Sequence, residues 1–428
     1  MIMPMTARVL LAIVGGVLVL VTWSSLIGSV VVPRAVRGRM TFMIDRVTLG
    51  VYRLFTHWIK DYKRLDRVLS TQAAAILIGQ LCAWIAMILL GFTLLLWPFS
   101  PDGLGHAFTD AGSSIFTLGF AEPVGKVPAV LVFAAAFSGL TVITVQIAYL
   151  PTLYSAFNRR ETEVQLLSAR AGIPSWGPEL LARTHYALGT GVSSVDTLPA
   201  LFQVWERWAA DIAESHSSYL PLVRFRSPRP LSSWLTALLA VMDSAAMYLA
   251  LSPSAAPTVP ARLCLRSGFT CFTRIAQAMG FDVPDEVPPG EPITLTYEEF
   301  LAAVDRLREV DFPIERDPEA AWPDFVGWRA NYERAAYAIA LAVDAVPAPW
   351  SGPRRRPTEP IMPLRPAPGR PAMGRVPGAP EDQHAHAGSR RRKPPRPDAL
   401  STGWRPQSTD VHRRYPQSVA NDGLTPRP

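Results

Sequence analysis

The chain has 428 residues, of which 49% are hydrophobic and 18% charged, with a net charge of +7 at pH 7. The apolar residues gather in long uncharged runs, which excludes an ordinary water-soluble protein, and the charge is concentrated in about the last eighty residues, so no folded basic face for nucleic acid is expected. The three cysteines, Cys82, Cys264 and Cys271, form no C-x-x-C pair, so neither a disulfide framework nor a zinc site is indicated.

No charged side chain occurs between Arg8 and Arg34, between Arg67 and Asp102, or between Lys126 and Arg159. Each interval exceeds the roughly 20 apolar residues that a helix needs to cross about 30 Å of hydrocarbon. Three membrane spans are therefore predicted, near Val9–Val31, Gln72–Pro98 and Val127–Tyr149. The first run competes with a secretory signal peptide, but it is long and is followed by Arg34, Arg37 and Arg39 rather than a small-residue cleavage site. Between the first two spans lie nine basic residues from Arg34 to Arg67 against few acids. The positive-inside bias places this segment in the cytoplasm, the N-terminus outside and the chain after the third span back in the cytoplasm of a multi-pass plasma-membrane protein. The Arg159–Arg160 pair after the third span agrees.

Between the second and third spans runs His106-Ala-Phe-Thr-Asp-Ala-Gly-Ser-Ser-Ile-Phe-Thr-Leu-Gly-Phe-Ala-Glu-Pro123. Residues 107–116 predict a short helix, and Thr117, Leu118, Gly119 and Phe120 a narrow segment after it. Irregular backbone at membrane depth is tolerated only where protein or a water-filled cavity covers it, so such a segment makes sense around an axis shared by several copies. Rings of backbone carbonyls replace the water shell of an ion, and glycine serves where the backbone turns left-handed so that carbonyls keep facing inward. The short helix would aim its negative C-terminal end at the cavity beneath, favouring a cation.

This stretch resembles the bacterial two-span pore-loop potassium channel family, whose filter reads T-V-G-Y-G-D or T-x-G-F-G; here it reads Thr117-Leu118-Gly119-Phe120-Ala121-Glu122. The likeness covers residues 72–158, about a fifth of the chain, to which an extra N-terminal span and a C-terminal helical domain are added. It implies that the carbonyls of Thr117, Leu118, Gly119 and Phe120 form the inner ion sites, and that Glu122 keeps a negative ring at the outer mouth. Gly139 falls where the family carries a hinge glycine, although glycine in a span equally marks close helix packing. Pro151 offers a second break near the cytoplasmic mouth. The departure is Ala121: a second filter glycine takes positive φ, so alanine there is expected to cost about 1 kcal/mol per chain, or about 4 kcal/mol over a ring of four. Cation permeation is then expected to outlast strict potassium selectivity, with sodium as the alternative permeant ion.

From Arg159 to Val346 the pattern is helical, with helices over 161–171, 179–188, 198–214, 233–251, 259–280, 296–310 and 324–346 separated by Pro- and Gly-containing breaks. The run Leu231–Leu251 is nearly long enough for a fourth span, but Asp243 interrupts it, at a cost of about 2.5 to 3.5 kcal/mol in mid-membrane, and a buried core helix is the favoured reading. From Ser351 to Pro428 the Pro- and Arg-rich composition predicts a disordered tail. Its basic runs would be drawn to anionic lipid headgroups or simply solvated. His185, His216, His384, His386 and the acids of this half match no triad, zincin, P-loop or calcium-loop pattern, so neither an enzyme nor a resident cofactor is expected.

The reading is an all-α membrane protein: an anchor span and basic linker over 1–71, a pore domain over 72–158, a cytosolic helical domain over 159–350 and a tail over 351–428. With one pore loop per chain, four chains are needed to close a filter, so the expected activity is passive cation transport by a homotetramer. The alternative is a membrane-anchored scaffold with a degenerate, non-conducting loop.

Overall fold

A computed structural model describes residues 5–32, 39–100, 102–121, 123–186, 197–288, 290–353, 357 and 360–361. Among these there are helices and no strand. Four of the helices are long and apolar enough to cross a membrane. Glu122 and nearly all of the tail lie outside the described residues.

Helix α1 (Met5–Leu26) continues as a π-turn through Ile27–Val31. It packs on α4 (Gln72–Leu96) where both present glycine: a methyl added to Gly15 would lie 2.5 Å from the Gly91 carbonyl oxygen. Such small-residue contacts let backbones approach and gain dispersion energy where no solvent drives association. Trp84 donates its indole N–H to Ser25, and Trp23 donates to Ser138 of α6 (Lys126–Ala171). The first apolar helix is thus bound to both others.

The segment between α1 and α4, expected as a basic linker, folds. Helix α2 (Arg39–Thr56) lies against α4, and α3 (Tyr62–Leu69) is capped by Asp61, whose carboxylate accepts from the Lys63 and Arg64 amides. Buried Tyr62 and Leu65 turn α3 inward. Arg226 donates to Asp66 at 2.8 Å and to the Tyr62 hydroxyl at 2.7 Å, and that hydroxyl donates to the Asp344 carbonyl. These contacts fasten the segment to the C-terminal helices.

After α4 and a 3-10 turn comes α5 (Leu104–Ile115), then the loop to α6. At 46 residues and about 1.5 Å per residue, α6 is roughly twice as long as a bilayer needs. Its first half is apolar, and its second half enters a helical domain made of α7 (Gly177–Tyr186), α8 (Leu198–Ser218), the single turn α9 (Pro221–Arg224), α10 (Trp234–Leu251), α11 (Thr258–Ala278), α12 (Tyr297–Arg308) and α13 (Pro318–Ala342).

Helix α10 is the domain's axis: every residue from Trp234 to Leu251 is buried by protein. It is the fourth apolar helix by length, yet unlike α1, α4 and α6 it offers no face to a lipid phase. Asp243 within it is compensated. Its carboxylate accepts from Arg329 and from the Tyr332 hydroxyl, while Arg329 also reaches Glu333, Tyr337 and the Trp350 carbonyl. A buried guanidinium costs several kcal/mol unless such partners surround it. Burial alone would lower Arg329; Asp243, Tyr337 and Glu333 reverse this and raise it well above its usual value, so it stays charged. The folded part also extends past the expected boundary at residue 350: Ser351 is buried, and Ile361 packs on the core.

Candidate functional site

The loop after α5 is built around one side chain. Ser113, on the last turn of α5 and 2% exposed, takes the Leu118 amide on its carbonyl at 2.8 Å. Its hydroxyl accepts from the Phe120 amide at 3.1 Å and the Ala121 amide at 3.3 Å. The chain returns to Ser113 because it turns left-handed at Thr117 (φ 53°) and Gly119 (φ 73°). Gly119 adopts this freely, whereas a β-branched residue does so at a cost of roughly 1 to 3 kcal/mol.

The geometry has a direct consequence for the carbonyls. In a trans peptide the C=O points opposite to the N–H of the next residue. With the Leu118, Phe120 and Ala121 amides directed at Ser113, the carbonyls of Thr117, Gly119 and Phe120 point away from α5. Among the described residues no donor reaches a carbonyl of Thr117, Leu118, Gly119 or Phe120. The loop is open: Phe116, Leu118 and Phe120 are 47%, 62% and 64% exposed, and a methyl built on Gly119 would meet nothing within 4 Å. Of the four expected filter residues, Thr117, Gly119 and Phe120 therefore turn their carbonyls away from α5, and none of the four carbonyls has a donor among the described residues.

The expected cost at Ala121 does not arise. Ala121 is not among the residues with positive φ, and its amide is held by the hydroxyl of Ser113. The left-handed strain falls on Thr117 instead. Helix α5 runs over Leu104–Ile115 rather than 107–116, and within it Asp110 is 8% exposed with its Oδ1 lacking a hydrogen-bond donor. His106 Nε2 stands 3.6 Å from that oxygen.

Gly139 serves contact. It is buried on α6 beneath the loop, and an added methyl would lie 2.3 Å from the Ile115 carbonyl oxygen at the C-terminal end of α5. The helix is unbroken at Gly139 and also at Pro151, where the missing N–H leaves the Ile147 carbonyl without its helical donor. Both residues thus lie inside one continuous helix. What Gly139 permits is a close seat for the base of α5.

Further along α6, the pair Arg159–Arg160 separates into two roles. Arg159 is exposed and pairs with Asp211 at 3.1 Å. Arg160 is fully buried, donating to Glu161, to His216 Nε2 at 3.0 Å, and to the Leu222 and Phe225 carbonyls at 2.8 and 2.7 Å. The Arg160 carbonyl accepts from the Trp208 indole. Burial first, and then the adjacent guanidinium, hold His216 well below its ordinary pKa, so the ring is neutral and accepts from Arg160 while Nδ1 faces Ser215. This arrangement locks α6 to α8 and α9. A second ionic knot lies between α7 and α12: burial pushes the Glu179 carboxyl up, and Arg306 and Arg183 more than reverse it, leaving it below the usual value.

Sequence reasoning passed over Ser113, Asp110 and Arg160. Two signals were available: an acid inside an apolar helix at membrane depth, and a hydroxyl one turn before the Thr-x-Gly segment. No protein-family model matches the chain, and neither a curated protein nor a solved structure matches it.

Proposed function

We propose that this chain is one subunit of a homotetrameric cation channel, with potassium as the first permeant ion. The observation that carries the proposal is the loop Thr117–Ala121, which turns the Leu118, Phe120 and Ala121 amides onto Ser113 and leaves the carbonyls of Thr117, Leu118, Gly119 and Phe120 without a donor among the described residues. Unpaired carbonyls are costly unless water or an ion satisfies them, and a ring of them from several copies is the chemistry that replaces a cation's hydration shell. Helix α5 ends at this loop and supports it electrostatically, since its C-terminal end is negative.

In this reading α4, α5 and the first half of α6 make the pore unit, α1 packs outside it, and the basic segment and helical domain lie in the cytoplasm. Gly139 and Pro151 act in gating through the seat of α5 and through α6, whose far end is fixed in the helical domain by Arg160. Tilting of that domain would bias α6 between two positions.

The test is cation flux into proteoliposomes, comparing potassium with sodium for the wild type and Gly119→Asp. Potassium-favoured flux abolished by the substitution is the expected result. Equal fluxes would mean a cation pore without potassium selectivity. No flux at any voltage or pH, with a monomer or dimer in detergent, would replace the channel by an anchored interaction protein.

A further inference from the structure

Helix α2 carries an apolar face that none of the described residues covers. Met43, Val47, Val51, Leu54 and Phe55 follow one another at helical spacing and are 65%, 63%, 46%, 69% and 69% exposed, and Trp58 just beyond is 83% exposed. The adjoining face is the one that packs: Ile44 and Thr48 lie against Gly79, Asp45 accepts from Gln80, and the Tyr52 and Thr71 hydroxyls are 2.7 Å apart. A monomeric protein rarely leaves so continuous an apolar strip to water.

The contacts with α4 fix where this strip lies. Asp45 meets Gln80 and Tyr52 meets Thr71, so α2 runs antiparallel to the start of α4 over nine residues of the latter, about 13 Å of helix. Residues 43–52 therefore stand at the level of the first turns of an apolar helix whose own Ile78 is 60% exposed. Whatever medium covers Ile78 also covers Met43 and Val47. Around the strip, Arg46, Arg53, Lys60, Lys63, Arg64 and Arg67 are exposed. An apolar face with a cationic border and an aromatic residue at its end matches an anionic lipid leaflet in both parts: acyl chains for the strip, phosphate for the border.

We infer that α2 is an interfacial helix that seats in the inner leaflet on anionic lipid, with Met43, Val47, Val51 and Phe55 among the acyl chains and Arg46, Arg53 and Lys60 at the phosphates. The inference rests on the membrane placement of α4 and is independent of conduction. Through Asp66 and Arg226 the same segment is tied to the helical domain, so the leaflet grips the protein beside the domain as well as around the spans.

The experiment uses the full chain with Cys82→Ser, which removes the exposed thiol and leaves the buried Cys264 and Cys271. Single cysteines are placed at Val47, Phe55, Ile78 and Val259, labelled with an environment-sensitive dye, and reconstituted in vesicles of phosphatidylcholine with one-quarter phosphatidylglycerol. Doxyl-labelled lipid should quench the dye at Val47→Cys, Phe55→Cys and Ile78→Cys, and aqueous iodide the dye at Val259→Cys on α11. Doxyl-phosphatidylglycerol should quench Phe55→Cys more than doxyl-phosphatidylcholine does at equal mole fraction. Each of Arg46→Gln and Arg53→Gln should reduce that preference, by up to about fivefold. Iodide quenching at Val47→Cys and Phe55→Cys with lipid quenching kept at Ile78→Cys would overturn the inference; loss of lipid quenching at Ile78→Cys as well would instead remove the membrane reading beneath it. Equal quenching by the two lipids, or a disulfide-linked dimer through Phe55→Cys, would also overturn it.

Discussion

Removing one hydroxyl from α5 is expected to loosen the whole carbonyl segment. Ser113 Oγ accepts two amide hydrogens, from Phe120 and Ala121, and the residue is 2% exposed, so in Ser113→Ala water does not readily replace it. At about 1 kcal/mol net per hydrogen bond the loss is about 2 kcal/mol per chain, roughly a thirtyfold fall in the ratio of ordered to disordered loop. Four loops must be ordered together for a closed ring, so the effect compounds in a tetramer. The Leu118 amide still has the Ser113 carbonyl, which confines the damage to the outer half of the segment. If the chain is the proposed tetrameric channel, the potassium-to-sodium flux ratio of Ser113→Ala in proteoliposomes should fall toward unity or flux should be lost, with the oligomeric state in detergent unchanged. Ser113→Thr keeps the hydroxyl and should retain most of the wild-type ratio. An unchanged ratio in Ser113→Ala would refute the claim that this hydroxyl sets the carbonyl direction.

Gly139→Ala places a methyl 2.3 Å from the Ile115 carbonyl oxygen. Overpacking of this kind costs about 1 to 3 kcal/mol, so thermal stability of the detergent-solubilised protein should fall; an unaltered melting temperature would favour a hinge without contact. Arg160→Ala leaves the Leu222 and Phe225 carbonyls without their charged donor and should destabilise the helical domain by about 3 to 5 kcal/mol, read by denaturant unfolding, whereas Arg159→Ala, at an exposed pair, should cost less than about 1 kcal/mol. For His216 the folded pKa is depressed while the unfolded value stays near 6.5, so the unfolded state binds the extra proton. Stability should therefore fall as pH drops below 6.5, with a slope of up to about 1.4 kcal/mol per unit. The depressed carboxyl of Glu179 adds a loss only below its unfolded value near 4.5. A melting-temperature series from pH 7 to pH 5 checks this, and His216→Gln should flatten it.

What the sequence made legible follows from which signals are local. A run without charge is visible residue by residue, so the outward-facing apolar helices were bounded closely: Gln72–Pro98 was expected and α4 spans Gln72–Leu96. The core helix was equally clear, with 233–251 expected and Trp234–Leu251 found, because Asp243 could be priced before its partner was known. Helix α2 was not legible, since its apolar residues alternate with arginines and the count of positive charge outweighed their spacing. The burial of Arg160 was not legible either: two adjacent arginines look alike in sequence, and only the return of α8 and α9 decides that one is solvated and the other sealed in. The loop gave the sharpest divide. Thr117 and Gly119 could be singled out as a type of backbone, but the direction of the Phe120 and Ala121 amides depended on a hydroxyl seven and eight residues earlier, supplied by a chain reversal that no local propensity encodes. The side chain that sets the carbonyl direction therefore belongs to the helix before the motif, and a Thr-x-Gly-Phe string is informative only when the preceding turn can receive its amides.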